Sequence, residues 1–174
     1  MSQFERPNIA KMQGYTSGEQ PQDGRSIKLN TNENPYPPSP RVAAALKAFA
    51  SDQLRVYPQP DARALRQAIA DHHEISVDSV VITHAGDEAL RLAVTTFVAP
   101  GGVVASTEPT YSLYPVLAQI QDARMFTLDL DDDWSLPNDF ASKVNTAGAK
   151  LTCVVNPHAP SGYLNNIRTL QGLA

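Results

Sequence analysis

The sequence predicts an α/β fold with a mainly parallel sheet, helices on both faces and an extended N-terminal arm. Apolar runs at residues 80–82, 102–106, 124–129 and 150–155 alternate with segments of helical periodicity. The runs are almost continuously apolar, as strands buried on both faces are, and such alternation is the pattern of βαβ crossovers. Polar, proline-bearing or small-residue loops at 83–88, 107–111 and 156–162 leave the carboxyl ends of three of these runs. Ligands of such sheets bind beyond those ends, so the three loops are expected to converge on one crevice.

In chain order, residues 1–27 are polar and turn-rich, with Gly14, Gly18, Pro21 and Gly24, and read as an arm. A short strand is expected at 27–30, followed by a polar loop, Thr31-Asn32-Glu33-Asn34, that Pro35, Pro37 and Pro38 stiffen. Ser39 followed by Pro40 is an N-cap with proline at the first helical position, and Val42, Ala45, Leu46 and Phe49 continue at helical spacing. Pro58 and Pro60 exclude a helix around Tyr57, which leaves its ring in an extended loop. A second helix starts near Asp61 on Leu65, Ala68 and Ile69 and ends at His72 and His73. Adjacent histidines do not share a helix face, so no metal pair is read there.

Residues 80–90 are central. Val80, Val81 and Ile82 predict a strand, while Leu90, Val94 and Phe97 predict a helix that opens at the turn between them. Unpaired amides and the positive end of the helix dipole make that turn, Ala85-Gly86-Asp87, a seat for a phosphate or carboxylate. The plainer reading is an ordinary βα turn with Asp87 and Glu88 placed to suit the dipole. Beyond it the pattern predicts helices at 111–121 and 138–145 between the later strands.

At 174 residues the chain suits one domain, and 42% hydrophobic with 18% charged residues describes an ordinary soluble protein. A net charge of −4 without a basic tract argues against a nucleic-acid partner. A polar N-terminus and the lack of a membrane-length apolar run predict a cytoplasmic protein with no membrane partner. The single cysteine, Cys153, reads as a buried strand residue.

An anion-binding turn, an aromatic at the head of the next helix (Tyr111) and a rigid Asn/His/Pro/Ser/Gly loop suit a flat aromatic cofactor carrying a phosphate, such as pyridoxal phosphate. The chain resembles histidinol-phosphate aminotransferases of the fold-type I pyridoxal-phosphate superfamily. The resemblance spans nearly the whole chain. It is carried by Leu29-Asn30-Thr31-Asn32-Glu33-Asn34-Pro35-Tyr36-Pro37-Pro38-Ser39-Pro40, Tyr57-Pro58, Asp61-Ala62-Arg63-Ala64-Leu65-Arg66, Gly86-Asp87-Glu88-Ala89-Leu90, Glu108-Pro109-Thr110-Tyr111, Asn156-Pro157 and Pro160-Ser161-Gly162.

The resemblance implies roles. Ala85, Gly86 and Asp87 match the turn that holds the cofactor phosphate, and Tyr111 matches the aromatic that stacks on the pyridine ring. Tyr57 matches a tyrosine that reaches the phosphate of the neighbouring subunit in a homodimer. Tyr15 and the loop of Asn32, Glu33 and Asn34 resemble elements lining the pocket for a phosphorylated amine and 2-oxoglutarate. Without the resemblance, Tyr15 and Tyr57 read as surface or interface residues.

The chain departs from the pattern in two places. Ala159 stands where the family has an asparagine that donates to the cofactor's phenolic oxygen, leaving Asn156 or His158 to substitute; and Thr83-His84-Ala85-Gly86 replaces a more glycine-rich turn. The family's Schiff-base lysine and the acidic partner of the pyridinium nitrogen fall further along. Lys11, Lys28, Lys47, Lys143 and Lys150 do not match that lysine, so no catalytic residue is assigned. The resemblance therefore makes residues 1–40 an arm with a substrate loop and residues 41–174 part of a cofactor-binding large domain, inactive alone. A related lyase such as a threonine-phosphate decarboxylase, or a non-catalytic α/β module for a phosphate-bearing ligand, stays open. A dinucleotide-binding domain is disfavoured because no Gly-x-Gly-x-x-Gly follows a predicted strand.

Overall fold

The run Val103, Val104, Ala105, Ser106, Thr107 is buried at every position, as only the central strand of a sheet covered on both faces can be. It forms β1 (Val103–Glu108), flanked by β2 (Arg124–Asp129) and β3 (Leu151–Cys153) in the order β2-β1-β3, with both pairings parallel. Val103 pairs with Arg124 and Glu108 with Asp129, while Val104 pairs with Leu151 and Ser106 with Cys153. The three carboxyl ends therefore lie at one edge. The computed structural model describes residues 4–14, 18–22 and 24–173, so the expected pocket residue Tyr15 lies outside the described residues.

The helices are α1 (Pro7–Ala10), α2 (Pro40–Ala48), α3 (Arg63–His73), α4 (Ala85–Phe97), α5 (Leu113–Ile120), α6 (Phe140–Thr146) and α7 (Ile167–Gln171). Because alternate strand residues face opposite sides, Val104 and Ala105 open two cores. Val104 packs with Val94 and Val98 of the α4 end and with Leu113, Leu117 and Ala118 of α5. Ala105 packs with Leu136 and with Phe140 and Val144 of α6, joined by Leu170 of α7. Helices thus cover both faces, as the apolar runs predicted.

Contacts divide the chain into a unit of Met1–Tyr15 with Thr83–Ala174, which holds the sheet, and a unit of Thr16–Ile82. In that unit Ser39 caps α2 by accepting from the Arg41 amide, and Pro40 stands at the first helical position, as read from the sequence. The Arg66 guanidinium donates to the carbonyls of Val80 (2.9 Å) and Val77 (2.8 Å), joining α3 to the segment that follows it.

The sequence reading is corrected at several points. Residues 27–30 and 80–82 form no strand, since a strand exists only where a neighbour accepts its ladder bonds. Residues 80–82 are an extended lead from a 3₁₀ turn, Val77–Ser79, into α4. β3 is shorter than the apolar run that predicted it, and α5 opens at Leu113, two residues after Tyr111. The turn-rich arm contains α1, whose flank satisfies the end of α5: Arg6 donates to the Ile120 carbonyl (2.9 Å) and Asn8 to that of Gln119 (2.8 Å). The last carbonyls of a helix find no donor one turn on; that of Gln119 also accepts from the Asp122 amide (3.0 Å), and the arm adds donors to both.

Candidate functional site

Ala85, Gly86 and Asp87 are the first residues of the 13-residue α4. The first amides of a helix find no acceptor one turn back. Among the described residues, the amides of Gly86 and Asp87 are bonded to no backbone or side-chain acceptor. A Cβ built on Gly86 meets nothing within 4 Å, so the approach to these amides is open. Unpaired donors at the positive end of a helix dipole are what an anion requires.

The turn is shaped by its own residues. Ala85 has φ 65°, in the left-handed region, with its amide on the Thr83 carbonyl (3.0 Å) and its carbonyl on the Thr83 hydroxyl (2.9 Å). A side chain in that region costs about 1 kcal/mol. Glycine at this position removes the strain but loses more chain entropy on folding. Ala85→Gly is accordingly expected to stabilise the chain by about 0.5 kcal/mol, read as a higher urea midpoint.

The Glu88 carboxylate reaches back to the His84 amide (2.5 Å) and to His84 Nδ1 (3.1 Å). The His84 backbone N–H, and then the His84 ring, hold the Glu88 carboxyl below its ordinary value. A carboxyl with a depressed folded-state pKa stabilises the fold above its unfolded pKa, and that contribution disappears as pH falls through the folded value. The amide resonance of His84 is expected to titrate with a midpoint below the ordinary glutamate value, and Glu88→Gln is expected to abolish that step.

Tyr111 lies at this turn. Its hydroxyl donates to Asp87 Oδ1 at 3.3 Å, and its ring packs edge-on against Tyr114 with centroids 5.7 Å apart. The structure thus joins loop 83–88 to loop 107–111. Below Tyr111, the fully buried Ser106 hydroxyl donates to the Cys153 carbonyl (2.8 Å) and accepts from Thr110 (3.0 Å), tying the ends of β1 and β3. The Cys153 thiol is pushed up by burial, which keeps it protonated and makes it a packing residue.

Loop 156–162 joins the same edge through His158, which is 3% exposed. Its Nε2 faces the Pro109 carbonyl at 3.1 Å and its Nδ1 the Ser161 hydroxyl at 2.7 Å. Both ring nitrogens are therefore occupied by the protein. The Asn156 side-chain oxygen accepts from the Asn165 amide (2.8 Å), while Ala159 is exposed and brings no donor.

Trp134, in the acidic turn after β2, was not read as a site residue from the sequence. Its ring lies over that of His158 at 5.8 Å and 24°. The available signal was a lone aromatic among Asp131, Asp132, Asp133 and Ser135 beyond a parallel strand.

Four expected residues belong to the other unit. There Tyr57 is fully exposed, Glu33 pairs with Lys28, Asn32 has a left-handed backbone, and the Asn34 side chain accepts from the Tyr36 amide at 2.9 Å. In the sheet unit, Lys143 pairs with Asp139 (2.8 Å) on α6, and Lys150 precedes β3 at the amino edge. Lys150 thus lies away from the carboxyl edge, whereas Lys143 lines a cavity with Asp129 and Asp131 at the end of β2. The arrangement leaves unbonded amides at the head of α4 with an aromatic ring beside them, at a three-loop edge.

The chain is 39% identical over 163 residues to histidinol-phosphate aminotransferase of Chromohalobacter salexigens, covering 94% of this chain and 45% of that protein. It is 44% identical over 161 residues to the protein of the same name from Clostridium botulinum strain Okra, covering 91% and 44%. The chain spans about half the length of the curated relatives it matches. Its fold matches a solved histidinol-phosphate aminotransferase from Sinorhizobium meliloti in complex with pyridoxal-5'-phosphate, with TM-score 0.85 and 23% identity over 99% of this chain and 47% of the other. The aminotransferase class I and II model matches residues 25–174, and the chain belongs to that family.

Proposed function

We propose that this chain provides the cofactor-phosphate cradle of a pyridoxal-phosphate-dependent aminotransferase acting on histidinol phosphate and 2-oxoglutarate. The observation that carries the reading is the open N-terminus of α4, with unbonded Gly86 and Asp87 amides beside the Tyr111 ring. The residues fit the group: the amides suit a phosphate, and Tyr111 supplies a flat face for a pyridine ring. Bound there, the cofactor supplies an electron sink for charge developing at the substrate α-carbon.

The chain's own residues bind and orient. The Gly86 and Asp87 amides hold the phosphate on a turn that Ala85 shapes, the Asp87 carboxylate fixes the Tyr111 hydroxyl, and Asn156 and His158 stiffen the loop around residue 159. Asn32, Glu33, Asn34 and Tyr15 are assigned to the substrate pocket, and Tyr57 to the phosphate of a second subunit in a homodimer, which its full exposure suits. Among the described residues no helix is long and apolar enough to cross a membrane; a cytoplasmic location of the whole enzyme is part of the same proposal.

The cradle is tested by titrating the 174-residue chain with pyridoxal 5'-phosphate, pyridoxal and inorganic phosphate while following thermal stability. Stabilisation by the phosphorylated form, competed by phosphate and lost in Gly86→Val, is expected. Equal effects of pyridoxal, or none from either, overturn it. The substrate is tested by placing the natural reading frame in a histidine-requiring strain that lacks its own histidinol-phosphate aminotransferase. Growth without histidine is expected, and failure despite expression overturns the assignment.

A further inference from the structure

Three loops leave the carboxyl ends of β1, β2 and β3, and one side chain touches all of them. The His158 ring meets the Pro109 carbonyl after β1, the Trp134 ring after β2, and Ser161 within its own loop after β3. A carbonyl only accepts, so Nε2 carries the hydrogen. The Ser161 oxygen accepts from the Tyr163 amide at 3.2 Å and shares a hydrogen bond with Nδ1 at 2.7 Å. Both ring nitrogens are thus engaged by the protein, with no capacity left for a ligand.

The backbone is fixed to match. The His158 amide donates to the Tyr163 carbonyl (2.8 Å), and its carbonyl accepts from Gly162 (2.7 Å). Trp134 holds a left-handed φ of 70°, an outlier for a bulky residue, in a turn closed by its amide on the Asp131 carbonyl (2.8 Å). Such conformations persist where the surroundings over-determine them, and they cluster where geometry matters for function.

We propose that His158 is a positioning residue. Its ring, clamped between Pro109, Trp134 and Ser161, sets the placement of Tyr111 and of residue 159 at the cofactor site without touching the cofactor itself. The inference rests on the cradle reading above. Pro109 lies two residues before Tyr111, whose hydroxyl is bonded to Asp87 at the α4 N-terminus, and residue 159 adjoins His158. A shift of the Pro109 carbonyl therefore moves the aromatic relative to the phosphate turn.

Two measurements test this on the 174-residue chain. The first uses imidazole ¹⁵N resonances of the unsubstituted protein, assigned by comparison with His158→Gln. A proton held on Nε2 is expected. An Nε2 without a proton, or a ring exchanging between tautomers as in solvent, overturns the clamp. The second compares dissociation constants for pyridoxal 5'-phosphate in His158→Phe, which keeps a flat ring, and His158→Gln, whose amide restores a donor toward Pro109. Affinity is expected to fall about tenfold in His158→Phe, as for loss of a buried hydrogen-bond tie, and to recover to within about threefold of the original in His158→Gln.

Unchanged affinity in a folded His158→Phe, or equal loss in both variants, overturns the positioning role. Emission of Trp134, the chain's single tryptophan, reports whether each variant retains its stack. If the unsubstituted chain binds no pyridoxal 5'-phosphate, the cradle reading fails, and the ¹⁵N result alone decides whether the clamp exists.

Discussion

Replacing Phe140 with alanine is expected to destabilise the sheet unit by about 3–5 kcal/mol, the range for removing a buried aromatic and leaving a cavity. Phe140 is 1% exposed and fills the space between Ala105 of β1, Leu136 and Val144. Ala105 has no side chain long enough to close the gap, and β1 is held on its other face by Val104 against α4 and α5, so the strand has little room to relax. Domains of this kind have only about 5–15 kcal/mol to lose. The urea midpoint should therefore collapse. Leu46→Ala on α2 is the contrast: Leu46 is 73% exposed, and its loss should register within about 0.5 kcal/mol. Similar losses in both variants would mean that the two cores described here do not carry the stability.

The second large effect concerns affinity. Ala159→Asn places an amide donor at the exposed position beside His158, where the resemblance implies an asparagine toward the cofactor's phenolic oxygen. A hydrogen bond to a charged oxygen contributes about 1.5–3 kcal/mol, which corresponds to roughly a 10- to 100-fold tighter dissociation constant for pyridoxal 5'-phosphate. Residue 159 is solvent-exposed, so the substitution has no packing cost to offset the gain. The measurement is a titration of the two chains followed by cofactor absorbance. An unchanged constant would show that residue 159 does not face the cofactor, and would count against the clamp around His158 as well.

Much of the sheet unit was legible in the sequence because its signals are local. Alternating apolar runs and helical periodicity report which side of an element is buried, and they placed β1, β2, α4, α5 and α6 to within a few residues. Ser39-Pro40 marked the start of α2 through hydrogen-bonding chemistry confined to one turn. The unbonded amides of Gly86 and Asp87 were legible for the same reason, since the first amides of any helix lack partners. Val80, Val81 and Ile82 show the limit. Their β-branched side chains suit a strand, yet the ladder that defines one must come from another segment, and nothing in the triplet specifies it.

The sequence by itself thus determined the α/β class, the burial of β1 on two faces, and the chemistry of the loops at its carboxyl end. It placed Tyr111 and loop 156–162 at one expected crevice without specifying their contacts, and it passed over Trp134 altogether. Only the tertiary structure decided that Asp87 meets Tyr111, and that His158 closes on Pro109, Ser161 and Trp134 with both ring nitrogens satisfied. Parallel pairing in the order β2-β1-β3 brings three carboxyl ends distant in the chain to one edge. Contacts of that kind depend on strand register, which pattern and propensity within a single segment do not encode.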